Sequence, residues 1–213
     1  MVPTFGNPLA AVFVAATLTL SGPVVRIQGV RDAALSWHIP PQVPVMRGLR
    51  LFMDAGRKAP PGAKIAREVL RANPRIGQID ALLLGTAVVE AARARDLPAP
   101  FLAAAILQES AFDPNAVSSA GAIGIAQFTV PTAEEYGVTN PWEPHAAIGG
   151  ASRLLAAYVA QYRGRDDDPY ALALAAYDAG PAAVATYHGV PPYRETRDYI
   201  IDIRDRWSRI VGR

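Results

Sequence analysis

Residues Phe101–Phe128 read FLAAAILQESAFDPNAVSSAGAIGIAQF. The run Phe101–Leu107 has no polar side chain, and it ends abruptly in Gln108, Glu109 and Ser110, followed by turn residues and a glycine-spaced loop. Pro100 is suited to the first turn of a helix, so the spacing predicts a helix from there to Glu109. A helix apolar all round is central to a core, and its end delivers Glu109 to the core's edge. Desolvation there disfavours the carboxylate and raises its pKa, which is the profile of a general acid working near neutrality. The competing reading is a helix-terminal glutamate exposed to water. Ser110 can bond the glutamate or a ligand, Asp113-Pro114 turns the chain, and Gly121 and Gly124 allow backbone to approach a ligand closely. Gln127 adds an amide able to read polar groups.

Helical signals continue on both sides of this stretch. Upstream, Lys64–Asn73 reads as a helix stopped at Asn73-Pro74. Ile79, Leu82, Leu83, Thr86 and Val89 then recur at helical spacing, with Asp80, Glu90 and Arg93 opposite. Downstream, Ile148, Ala151, Leu155, Tyr158 and Tyr162 mark another helix. Asp168-Pro169 starts one that ends near Gly180, and Tyr199, Ile203, Trp207 and Ile210 stripe a last. No strand-like alternation or solenoid repeat is present, so the expectation is one compact all-α domain over residues 78–213.

The 213 residues, 51% of them hydrophobic, suffice for one such core plus an appendage and exclude disorder throughout. A net charge of +2 makes no case for nucleic acid, and the absence of cysteine excludes disulfides and thiolate chemistry. Residues 1–25 hold an apolar run, Leu9–Leu20, too short to span a bilayer comfortably. Its length suits the core of a secretion signal, although no basic residue precedes it; export is the expectation, against a buried strand or a weak anchor. Residues 26–77 form a Pro-containing extension with breaks at His38–Pro44 and Ala59–Ala63 and a short amphipathic helix expected over Met46–Arg57. His38, His145 and His188 are scattered, and Asp166–Asp168 lacks the glycine and distal glutamate of a calcium loop, so neither a metal nor another cofactor is expected.

The stretch QESAFDPNAVSSAGAIGIAQFTVPTA resembles the catalytic core of the soluble lytic transglycosylase (SLT) family, whose pattern is Glu-Ser, then Ser-x-x-Gly-Ala-x-Gly-Leu-Met-Gln, then a proline and Thr-Ala. LALAAYDAGPAAV at Leu172–Val184 is similar to the family's Ala-Tyr-Asn-Ala-Gly-Pro motif, and ETRDYI at Glu195–Ile200 to its Glu-Thr-x-x-Tyr-Val motif. The resemblance covers about Ile79–Trp207.

It implies a lysozyme-like (goose-type/SLT) α-domain cutting the bond between N-acetylmuramic acid and N-acetylglucosamine in peptidoglycan, with Glu109 as the single catalytic acid and then base. Ser110 would contact the sugar, and Gly121, Ala122, Gly124, Ala126 and Gln127 would line the cleft. Tyr177 would form a wall, and Tyr199 would bring its hydroxyl to Glu109 or the acetamido group; each tyrosine also suits core packing. The partners implied are glycan strands, and an envelope, secretion-machine or virion partner for the N-terminal extension. The setting implied is the bacterial envelope, outside the cytoplasm, or a phage particle.

Two departures stand out. Ala126 replaces the family's methionine, removing a flexible apolar surface. Asp178 replaces its asparagine. Were Asp178 to lie roughly 6.5–9.5 Å from Glu109 with water between, the pair would suit an inverting hydrolase. A conservative exchange is favoured, because either residue can bond the turning backbone before Ala179-Gly180. A wall-binding module without catalysis is the third reading, and retention of Glu109 and Ser110 speaks against it. Phe112 and Trp142 suit either sugar stacking or plugging of turns.

Overall fold

The computed structural model describes residues 59–165 and 167–212, so the readings placed on residues 1–58 lie outside the described residues. Among the described residues the chain forms helices α1 (Ala63–Ala72), α2 (Gln78–Arg93), α3 (Ala99–Ser110), α4 (Val130–Glu135), α5 (Pro144–Tyr162), α6 (Pro169–Ala179), α7 (Pro181–Thr186) and α8 (Arg194–Val211). Isolated bridges pair Ile123 with Val117 and with Phe128, and there is no extended sheet in this part of the chain.

α3 is the axis of the fold. Pro100 sits in its first turn, and every side chain from Phe101 to Leu107 is at most 2% exposed. Such a helix cannot lie on a surface, and α1, α2, α5 and α8 pack against it. Its N-terminal end is held by an aromatic cluster: the Phe101 ring stands 5.0 Å from Tyr170 of α6 and 5.2 Å from Trp207 of α8, which are 5.3 Å from each other.

α2 departs from the expected pattern. Its buried residues are Ala81, Gly85, Val88 and Ala92, whereas Ile79 and Leu83 are 44% and 41% exposed. The reason is close approach: a Cβ at Gly85 would stand 2.6 Å from the Gly62 carbonyl oxygen just before α1. The small residues therefore face the neighbouring helices and the large ones are pushed to the flanks. α1 itself buries Ala63, Ile65, Ala66 and Val69 in the common core, so a helix ahead of Gln78 belongs to the compact body.

The remaining helix limits follow local chemistry. The Asp168 carboxylate accepts from the Tyr170 N–H at 2.9 Å and opens α6, as its position before Pro169 suggests. It also pairs with Arg204, tying the start of α6 to α8. α4 and α7, one of which Thr129 caps, are short and carry too few residues to show periodicity in sequence.

Candidate active site

Glu109 lies in the last turn of α3. Two consecutive residues then take left-handed backbone, Ala111 at φ 52° and Phe112 at φ 62°. This conformation costs a non-glycine residue about 1–2 kcal/mol. Full burial of the Phe112 ring offsets that cost, so Phe112 is a core plug and presents no face to a ligand. The double reversal turns the chain back across the end of α3.

The Tyr199 hydroxyl, from the buried side of α8, donates to Oε1 of Glu109. Burial is the largest influence on the carboxyl and pushes its pKa from the ordinary 4.5 to about 7; the Tyr199 bond opposes this, and the charge of Asp178 adds to it. The Tyr199 and Tyr177 hydroxyls are both driven well above their ordinary range, first by burial and then by the neighbouring Glu109, so both remain donors at any physiological pH. Asp178 is exposed near the C-terminal end of α6. A carboxyl that is half protonated near neutrality and fixed by a permanent donor can both give and accept a proton.

The loop after α3 is held from three directions. Its consecutive carbonyls of Gly124, Ile125 and Ala126 receive the Gln127 amide at 2.9 Å, the Ser110 hydroxyl at 2.7 Å and the Tyr177 hydroxyl at 2.7 Å. Gln127 also donates to the Ala116 carbonyl at 3.3 Å, from a left-handed backbone at φ 49°. Gly124 has φ 73°, and a Cβ there would stand 2.1 Å from the Pro141 carbonyl oxygen, so only glycine fits. Ser118 closes the loop tip by accepting the Ala122 N–H at 3.0 Å, with Gly121 exposed beside it.

The structure thus brings Glu109, Ser110, Gly124, Ala126, Gln127, Tyr177 and Tyr199 into one assembly, with Gly121 and Ala122 at the tip of the loop. It differs from expectation in what several of them do. The donor ends of Ser110 and Gln127 are spent on the loop. Ala126, expected on the cleft surface, is fully buried, so its small size bears on packing under the loop. Tyr177 is a strut between α6 and that loop. Of the two candidate stacking residues, only Trp142 is exposed, at 41%. Sequence reasoning missed Gln108, Asp202 and Arg206: Arg206 donates to Gln108, the neighbour of Glu109 in the chain, and Gln108 donates to Asp202. The available signal was the polar run Gln108–Ser110 at the end of an apolar helix.

The family model described as Transglycosylase SLT domain matches residues 86–200, a span that holds every residue from Glu109 to Tyr199. The chain is 44% identical over 61 residues to Membrane-bound lytic murein transglycosylase F 2 of Alkalilimnicola ehrlichii, covering 29% of this chain and 14% of that one. It is 41% identical over 81 residues to Membrane-bound lytic murein transglycosylase F of Pseudoalteromonas translucida, covering 37% and 17%. The chain therefore spans only a small fraction of these relatives' length. Among solved structures it resembles an inactive mutant of the lytic transglycosylase Slt from Pseudomonas aeruginosa, with a TM-score of 0.52, 23% identity and coverage of 70% of this chain and 29% of that one. It also resembles the 70 kDa soluble lytic transglycosylase from Escherichia coli, with a TM-score of 0.53, 18% identity and coverage of 78% and 30%. At that identity the likeness is one of fold.

Proposed function

The chain belongs to the transglycosylase SLT family, and we propose that it is a peptidoglycan lytic transglycosylase in which Glu109 is first general acid and then general base. The observation that carries the proposal is the state of Glu109: a carboxyl withdrawn from water, displaced to about 7 and bonded by Tyr199.

The protonated carboxyl gives its proton to the glycosidic oxygen between N-acetylmuramic acid and N-acetylglucosamine. Tyr199 occupies Oε1, which leaves Oε2 to face the sugar. As the C1–O bond breaks, the substrate's acetamido oxygen stabilises the positive charge at C1. The carboxylate then takes the proton of the muramic acid C6 hydroxyl, whose oxygen closes on C1 as a 1,6-anhydro ring. The acid is restored and no water is consumed. Tyr199 donates to the carboxylate between the two transfers, when its negative charge is exposed to a poorly solvating site.

The Gly121–Gln127 loop lines the cleft in this reading. Ser110 and Gln127 have committed their protons to loop carbonyls, so they serve the substrate through their remaining acceptor lone pairs and by fixing the loop's shape. The setting proposed is the bacterial envelope, where peptidoglycan lies. Among the described residues no helix is long and apolar enough to cross a membrane.

A hydrolytic muramidase is the second reading, because the charge of Asp178 reaches Glu109. In that case Asp178 activates water against C1. Glu109→Gln tests catalysis itself: the variant loses clearing of a peptidoglycan suspension while still sedimenting with it. Undiminished clearing by the variant removes Glu109 from the chemistry.

A further inference from the structure

The helix that carries the acid meets the helix that carries its tyrosine at a second point, one residue earlier. Arg206 Nε donates to Oε1 of Gln108 at 3.0 Å, and Gln108 Nε2 donates to Asp202 Oδ2 at 3.4 Å. Tyr199, Asp202 and Arg206 follow each other at intervals of three and four and so share one face of α8. Consecutive residues of α3, Gln108 and Glu109, are thereby read by consecutive turns of α8. We propose that Gln108 is a positioning residue, its amide held between Arg206 and Asp202 so that the Glu109 carboxyl is kept against the Tyr199 hydroxyl.

The chemistry of the three groups explains why an amide stands there. Guanidinium only donates and carboxylate only accepts, so a bridging side chain must accept at one end and donate at the other. Glutamate in this place would repel Asp202, lysine would repel Arg206, and an apolar residue would leave a half-buried guanidinium N–H without its partner. The amide's orientation is set by its neighbours, with Oε1 toward Arg206. α3 is then fixed to α8 near both ends, by Phe101 on Trp207 and by Gln108 on Arg206. From α6, Asp178 also acts on Glu109, while Tyr177 feels the charge of Glu109 and spends its hydroxyl on the Ala126 carbonyl.

The geometric claim is testable without substrate. Carbon-13 NMR of the full chain, labelled at glutamate side-chain carboxyls, follows the Glu109 signal from pH 4 to 10; the signal is assigned by its loss in Glu109→Gln. The Tyr199 bond favours the ionised carboxyl, so Tyr199→Phe moves the titration upward. Gln108→Met, similar in length and without polar ends, moves it in the same direction by less, and the double variant titrates where Tyr199→Phe alone does. An unmoved titration in Gln108→Met, or a double variant showing the two shifts added, overturns the proposal. Should Gln108→Met fail to fold, Arg206→Lys keeps the charge but cannot place Nε–H, and the same two outcomes apply. On soluble glycan strands, an arm that rests on the reading of Glu109 as the acid, Gln108→Met lowers kcat about tenfold with KM unchanged. A raised KM at full kcat there assigns Gln108 to substrate binding and also overturns it.

Discussion

Replacing Glu109 by glutamine should stabilise the protein above neutral pH and lose that advantage in acid. In the unfolded chain the carboxyl ionises at its ordinary 4.5, whereas in the folded chain burial holds the proton until about 7. Between these values the folded state binds more protons than the unfolded state, so stability falls as pH rises. The contribution is fully present below 4.5 and gone once pH has passed the folded value. At about 1.4 kcal/mol for each tenfold in proton affinity, the displacement is worth about 3 kcal/mol. Residual solvent access and relaxation of the loop reduce this to about 2–3 kcal/mol. Glutamine is uncharged, nearly isosteric and still accepts the Tyr199 hydroxyl, so it escapes the penalty at every pH. Thermal unfolding of both proteins from pH 4 to 9 should show similar Tm values near pH 4. The gap should open in favour of Glu109→Gln through pH 5–7 and level off above pH 8 at about 4–12 °C. A difference independent of pH would refute the claim that Glu109 is displaced by burial.

Further outcomes follow from the same geometry. Asp178→Asn removes a charge that raises Glu109, so the alkaline limb of the pH–activity profile should move to lower pH while the fold is unaffected. Tyr177→Phe strips the buried Ala126 carbonyl of its donor and should cost about 1–3 kcal/mol by urea unfolding, with weakened substrate binding. Gly124→Ala forces a Cβ onto the Pro141 carbonyl at a positive φ; it should abolish turnover with helical circular dichroism retained. Phe101→Ala empties the ring contacts with Tyr170 and Trp207 and should cost about 3–5 kcal/mol in chemical unfolding.

The helical frame was legible wherever one strong local signal dominated. Pro100, Asp168-Pro169 and Asn73-Pro74 mark helix limits through chemistry that needs no tertiary context, and the apolar run before Glu109 could only be central. In α2 the helical spacing was legible but the buried face was not, because hydropathy weights Ile79 and Leu83 above Ala81 and Gly85, while close helix packing selects for small side chains. α1 lies in the core for the same reason, since the contact that includes it runs through Gly62 and Gly85. At the site, residue identities were legible and their bonding was not. Ser110, Gln127 and Tyr177 come from separate segments, and only the folded loop shows that three adjacent carbonyls take up their donors. Gln108 stood in the polar run at the end of α3, but the role of its amide was not legible, because its partners lie more than ninety residues away on α8.

The most direct test of the central claim is mass spectrometry of muropeptides released from purified peptidoglycan by the wild-type protein, with Glu109→Gln alongside. Products ending in 1,6-anhydro-N-acetylmuramic acid, one water lighter than reducing ends and absent with the variant, are the result the account predicts. Reducing ends, or release that persists in Glu109→Gln, would contradict it.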